Sequence, residues 1–305
     1  MPSPPACPPS ELCILGFGAP ASWPKPAHVL TLGTMQSEGN EMKMLVGALL
    51  NVTLVCLALQ AHGQPAQKVV DIPTRTGVAQ RVLVIAPASS PKAAVILLAG
   101  GHGGLQIFPN GSFKWGEGNF VIRSRQLFVD QGLTVAVLDA PSDRQSYPFL
   151  NGFRQTPEHA QDIKAVIAWL REKVNVPIWL VGTSRGTESA VYAAIELSGA
   201  GGPDGVVLTS TILSDSRGRS VNAMELSKLR IPVLVVHHEQ DGCSVCRSSD
   251  TAELMDKLVN SSPKRLLTFK GGSNRGDPCE AFAYHGFNGL EPEVVAQTAA
   301  WLLAR

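Results

Sequence analysis

The chain has almost no excess charge. Its formal net charge is +1, and Lys, Arg, Asp and Glu together make up 17% of it, with no block of either sign. A surface for a phosphate backbone needs clustered cations, so nucleic acid is not expected as a partner, and no nucleic-acid-binding motif is present. Internal repeats are also missing, which removes solenoids and propellers. Long apolar runs are scarce. The run at residues 45–59 is short for a membrane span. Against these absences stands a hydrophobic fraction of 44%, that of an ordinary globular protein.

The N-terminal part is set apart by composition. Residues 1–41 are rich in Pro, Gly and Ser and have no periodicity, so they read as a disordered or untranslated leader. Met42-Lys43-Met44 then opens a lysine, an apolar run of about 15 residues and the small pair Ala61 and Gly63. That pattern predicts a secretory signal peptide over residues 42–63, cut after Gly63, with translation starting at Met42. The rival readings are a buried helix or an uncleaved anchor. A lipoprotein ranks below them, because Val55 is a poor residue before Cys56. The expected location is secreted or periplasmic, with no stable membrane insertion after cleavage. Residues 64–305 remain, the size of one α/β domain.

In that domain apolar runs alternate with amphipathic ones. Strands are predicted at residues 68–71 and 80–85, both as edge strands, then at 94–99, 133–138, 177–181, 204–209, 231–237 and 265–269. Helices are predicted at 119–131, 156–174, 224–229, 249–259 and 291–303, and another follows residue 186, where Ala190, Ala193 and Ala194 recur. The fold class is therefore α/β, with a mostly parallel sheet of about eight strands and helices on both faces. Ligands of such sheets bind beyond the carboxyl ends of the strands.

One turn organises the chemistry. Gly182-Thr183-Ser184-Arg185-Gly186 joins the 177–181 strand to the Ala-rich helix. A strand that reverses sharply into a helix strains its middle residue, and flanking glycines make room for the close approach. The bland alternative is a small-residue turn packing a helix on a strand. A serine hydroxyl needs a base to take its proton and a third group to orient that base. Asp241 follows the 231–237 strand, in His237-His238-Glu239-Gln240-Asp241-Gly242, and His285 follows the last strand, in Tyr284-His285-Gly286. His237 and His238 are rival bases and Glu239 a rival acid, but the two histidines precede the acid and read as wall residues. His159 opens a helix and reads as solvated or capping.

Gly-x-Ser-x-Gly after a strand, a later strand ending before Asp-Gly, and a late His-Gly resemble the α/β-hydrolase superfamily. Within it the chain is similar to secreted esterase-like enzymes of the dienelactone-hydrolase and prolyl-oligopeptidase branch. The resemblance covers roughly residues 82–303. It implies Ser184 as nucleophile, His285 as general base and then acid, and Asp241 as the orienting carboxylate. It also implies an oxyanion hole built from the N–H of Arg185 and a second N–H in the Gly100-Gly101-His102-Gly103-Gly104 loop, at Gly101 or His102. The stretch from Asp241 to His285 departs from the family's pattern by its length, and the excess holds Cys243, Cys246 and Cys279.

In an oxidising compartment two of these cysteines pair and one is left over. A bridge from Cys279 to Cys243, or failing that to Cys246, ties the acid loop to the histidine loop. The competing reading is a zinc site of His237, His238, Asp241, Cys243 and Cys246. Adjacent strand residues point to opposite faces, so His237 and His238 do not share an ion, and neither metal nor cofactor is expected. Arg123, Arg125, Asp143 and Arg154 fall near the expected cleft; such charges read first as solvated surface, with an arginine receiving a substrate carboxylate as the alternative. Phe108, Phe113 and Trp115 either line an acyl or aromatic pocket or pack the long loop onto the body. The function expected is a serine hydrolase that cleaves small-molecule carboxylic esters through an acyl-enzyme. A peptidase of the same fold and a non-catalytic binding protein on that scaffold are the alternatives.

Overall fold

The computed structural model describes residues 66–199 and 201–305. The leader and signal peptide expected over residues 1–63 lie outside them.

Eight strands form one sheet: β1 (Ala66–Arg75), β2 (Val78–Ala86), β3 (Ala93–Leu98), β4 (Leu133–Pro141), β5 (Ile178–Thr183), β6 (Gly205–Thr209), β7 (Val233–His238) and β8 (Lys264–Phe269). Their order is β1-β2-β4-β3-β5-β6-β7-β8. β1 pairs antiparallel with β2, and β2 with β4, and every later pairing is parallel. The expectation of two edge strands holds for β1 alone. β2 lies inside the sheet because β1, running to Arg75 and turning at Gly77, covers its outer side.

The helices are α1 (Phe120–Arg123), α2 (Arg125–Asp130), α3 (Pro157–Lys173), α4 (Gly186–Glu196), α5 (Thr251–Lys257) and α6 (Glu291–Leu303). They cover both faces. On one face Ile163 and Ile167 of α3, Val191 of α4 and Leu254 of α5 share one buried apolar cluster with Ala94, Ile96 and Leu98 of β3. On the other, Phe120 of α1, Phe128 of α2 and Val295 of α6 pack against Val95 and Leu97 of the same strand. A strand buried on both sides has no polar face to alternate, which is why β3 reads as one apolar run.

Three predicted helices come out shorter. The 119–131 segment breaks at Ser124, whose backbone (φ −89°, ψ 1°) leaves the helical region between α1 and α2. Residues 224–229 contribute only the single turn Leu226–Lys228, after another at Val221–Ala223, and α5 spans only seven residues. β3 sits where the chain order reverses, with β4 on one side and β5 on the other. Loops leaving β3 and β5 diverge there, and the crevice between them is the place for a ligand.

Candidate active site

Ser184 stands immediately after β5 with φ at 51°, in the left-handed region that a residue with a side chain rarely adopts. Its backbone is fixed from both sides: its N–H donates to Thr209 O at 3.0 Å, and its carbonyl accepts from the Thr187 N–H and Oγ1. The flanking glycines are required by space. A Cβ on Gly182 would come within 2.5 Å of Gly186 O, and one on Gly186 would strike Leu98 O.

Asp241 and His285 meet from the loops after β7 and β8. His285 Nδ1 and Asp241 Oδ2 are 2.9 Å apart, and the two residues are 4% and 8% exposed. The other carboxylate oxygen accepts the Cys243 N–H at 2.9 Å, so both oxygens are used. Ser210 Oγ donates to the His285 carbonyl at 2.5 Å, pinning the short turn that carries the imidazole. A carboxylate only accepts, so Nδ1 carries the hydrogen and Nε2 is left as the acceptor. Nε2 is buried and has no partner among the described residues. Ser184 and His285 line the same cavity, of about 470 Å³. A second concavity, of about 520 Å³, lies at the amino ends of the strands around Pro203 and Arg230, and neither histidine nor carboxylate is among its lining residues to activate Ser198 there.

The loop after β3 closes one side of the cavity, and two buried charges hold it. Arg154, 3% exposed, donates from Nη2 to Ala99 O at 2.9 Å and Gly101 O at 3.1 Å, with Gly100 O at 3.5 Å, and from Nη1 to Ser189 Oγ at 2.9 Å. Burial lowers its pKa to about 10, with the nearby Glu188 carboxylate opposing that shift, so it stays charged at neutral pH. Asp139 accepts four backbone N–H groups, from Leu105, Gln106, Ile107 and Ala140, at 2.7–3.0 Å. In a trans peptide the N–H points opposite the C=O. With their carbonyls turned to Arg154, the 100–101 and 101–102 peptides aim the Gly101 and His102 N–H groups away from it. Among the described residues, neither these two N–H groups nor that of Arg185 has an acceptor. Gly101 and Arg185 line the cavity, whereas the His102 ring turns aside to stack on Trp115 and Phe149 at 3.9 and 4.4 Å. Burial, and then the charge of Arg154, lower the His102 pKa.

Several sequence expectations need correction. No arginine singled out waits for a substrate carboxylate. Arg123 bonds Glu291 and the carbonyls of Gly118 and Gly286, and Arg125 bonds Ile122 O and covers the Phe113 ring. Arg154 is clamped as above, and Asp143 pairs with Arg75. The Arg185 side chain, which borders the cavity, is neutralised by Glu188 and Asp215, each at 2.6 Å. His159 is not solvated. It is fully buried with Nε2 2.9 Å from Ser189 Oγ, and burial drives its pKa down to about 3, with Arg154 and Arg75 adding to the effect. Thr156 is the helix cap instead, accepting the His159 N–H.

Of the three aromatics only Trp115 lines the cavity; Phe108 is exposed elsewhere and Phe113 is buried beneath Arg125. Phe120, Phe282 and Asn119 line it too. Periodicity had assigned Phe120 to a helix face, and nothing marked Phe282 or Asn119. His237 accepts the Thr211 N–H at 2.8 Å, and His238 bonds Gly271 O and stacks on Tyr284; both are fully buried in structural roles and neither is among the residues that line the cavity. Cys243 and Cys279 form a disulfide, and Cys246 is buried and free.

No family model matches the sequence, and no curated protein matches it. Solved structures do. A hyperthermophilic esterase from Pyrobaculum calidifontis is 17% identical, with 87% of this chain and 94% of that one covered at a TM-score of 0.56. A dienelactone hydrolase from Anabaena variabilis is 15% identical over 79% of this chain and 96% of that one, at 0.51. An α/β serine hydrolase without a lid from Xanthomonas campestris is 16% identical over 77% and 95%, at 0.51. Likeness at this identity speaks of architecture, and the architecture agrees with the sheet order and with the tight strand-to-helix turn, or elbow, at Ser184: the protein has the α/β-hydrolase fold.

Proposed function

We propose that the protein is a serine hydrolase of small carboxylic esters, with Ser184 as nucleophile, His285 as base and Asp241 as the orienting acid. The observation that carries this reading is the strained Ser184 sharing one cavity with a buried His285 whose Nδ1 is held by Asp241. Nε2 takes the hydroxyl proton as Ser184 attacks the ester carbonyl, then returns it to the leaving alcohol. Asp241 keeps the tautomer and the ring orientation. Negative charge on the tetrahedral oxygen falls to the N–H groups of Arg185 and of Gly101 or His102, each such donor being worth about 3 kcal/mol of barrier. Water then enters by the same base and releases the acid.

The cavity wall bears on the substrate. Trp115, Phe120 and Phe282 supply apolar surface, and Arg185 carries two carboxylate partners of its own. A neutral, short or aromatic ester fits such a wall better than a carboxylate-bearing one. The Cys243–Cys279 bridge favours an oxidising compartment, in keeping with the signal peptide read at residues 42–63 and a secreted or periplasmic location.

Ser184→Ala should abolish both turnover of short p-nitrophenyl esters and labelling by a fluorophosphonate probe. Unchanged turnover in the variant refutes the reading. A folded parent that never reacts with the probe points to the binding-protein alternative, and faster cleavage of matched amides than esters points to a peptidase.

A further inference from the structure

The proposed mechanism leaves one buried thiol unused. Cys246 lies three residues beyond Cys243, in a turn closed by its own N–H on the Cys243 carbonyl at 2.9 Å. The donor atoms of Cys243, Cys246 and His285 all lie within 4.8 Å of one another. The imidazole brings a buried Nε2 with no hydrogen-bond partner among the described residues, while Nδ1 is held by Asp241. Two sulfur ligands of a tetrahedral zinc ion stand about 3.8 Å apart, given bonds of about 2.3 Å. A sulfur and a nitrogen stand about 3.5 Å apart, so donors within 4.8 Å need to close by about 1.3 Å at most, a shift that side-chain rotation supplies. Packing as a small apolar residue accounts for the burial of Cys246 but not for the convergence of three donors.

We propose that reduction of the Cys243–Cys279 disulfide creates a zinc-class metal site formed by Cys243 Sγ, Cys246 Sγ and His285 Nε2, with its fourth position open to the cavity. Cys279 is exposed, so a reductant reaches the bond from solvent. A water-soluble phosphine supplies the two electrons. It attacks one sulfur, the S–S bond breaks, and water converts the adduct to phosphine oxide and leaves two thiols. The metal ion then displaces the thiol protons of Cys243 and Cys246, releasing both to solvent, and takes the neutral imidazole without further redox change. Burial holds the Cys246 thiol well above its ordinary pKa, and ligation to a divalent ion overcomes that by deprotonating it. Two thiolates and an imidazole suit zinc over harder cations. This donor set replaces His237 and His238, which the fold commits to Thr211 and Gly271, with His285. Metal on Nε2 also removes the base, so the loaded chain is inactive; that consequence rests on the hydrolase reading, and the metal binding does not.

The test titrates the full chain with cobalt(II) under argon, reading the thiolate-to-cobalt absorption, and counts zinc by competition with a chromogenic chelator. The readout is the difference between the parent and Cys246→Ala, since Cys7, Cys13 and Cys56 are present in both. The phosphine-treated parent should bind one equivalent more than the treated Cys246→Ala, and the oxidised pair should not differ. Cys279→Ser frees Cys243 without any reductant and should bind its equivalent untreated; circular dichroism checks its fold, and the reduced parent serves if it fails to fold. Ser184→Ala should bind as the parent does, which separates this result from the fate of the hydrolase reading. Equal binding by the reduced parent and Cys246→Ala overturns the proposal, and so does a folded Cys279→Ser that binds nothing.

Discussion

The loop after β3 and the loop after β8 both stand over the cavity, and they are held by opposite means. The first has no covalent tie. Its carbonyls converge on the guanidinium of Arg154 and its N–H groups on the carboxylate of Asp139, both almost fully buried. The second is largely exposed from residue 271 to residue 280 and is anchored by the Cys243–Cys279 bond, the His238–Tyr284 stack and the buried Phe287. On the proposed hydrolase reading, the contrast follows from what each loop would carry. An oxyanion site needs backbone N–H groups fixed in direction, and a charge on the opposite side of each peptide sets that direction. An acid and a base from separate loops need fixed separation, and a bond between the loops sets that. One loop is therefore sensitive to the loss of a buried charge, the other to redox state.

Breaking the polar anchor should have the largest effect. Arg154→Met keeps most of the side-chain volume but strands the carbonyls of Ala99 and Gly101 and the Ser189 hydroxyl in a dry site. Stranded buried groups cost about 1–3 kcal/mol each, and partial relaxation brings the expected loss to about 3–5 kcal/mol. Arg154→Lys should recover only part of it, because one ammonium nitrogen cannot serve both the carbonyls bonded by Nη2 and the Ser189 hydroxyl bonded by Nη1. Urea unfolding of both variants measures this. A loss under 1 kcal/mol in Arg154→Met would remove the distinction drawn between the two loops.

Breaking the covalent anchor should cost somewhat less. The bridge closes a separation of 36 residues, and removing it by Cys279→Ser should lower unfolding free energy by about 2–4 kcal/mol, mostly through the unfolded chain. Thiol counting on denatured protein checks the premise. Within residues 66–305 one free thiol is expected without reductant, and three would mean that the loop is held by packing alone.

How much of this was legible in the sequence follows the same division. The elbow was, because strain at Ser184 demands small neighbours at fixed spacing and leaves a local mark. The placement of Ser184, Asp241 and His285 beyond successive strands was, since each follows an apolar run. The pairing of Cys243 with Cys279 over Cys246 was a preference that the structure agrees with. Arg154 was read as a surface charge because nothing local distinguishes a clamp from a solvated arginine; its partners lie 35 to 55 residues away. His159 was misread for the same reason, its burial being set by Ser189 of a different helix. The interior place of β2 depends on β1 running longer than its apolar part, which strand periodicity does not report. Phe282 and Asn119 reach the cavity from irregular segments where no period exists to point them inward.

Acid offers the finest separation of the two loops, because His159 sits on the Arg154 side only. Its pKa in the folded chain is about 3 against an ordinary 6.5, so between those values the unfolded chain binds a proton that the folded chain refuses. Stability from this group is complete above pH 6.5 and is lost as pH falls, at about 1.4 kcal/mol per unit, until the folded value is passed. His237, lowered to about 4 by burial, adds a similar slope that every variant shares. His159→Gln keeps a donor near Ser189 but cannot titrate. Between pH 7 and 5 the parent should therefore lose about 2 kcal/mol more than the variant does. Reduction of the disulfide should leave that difference unchanged, since no contact joins His159 to the loop that carries His285. Equal slopes in parent and variant would mean that His159 is hydrated, and that the anchor around Arg154 is wetter and weaker than its hydrogen bonds imply.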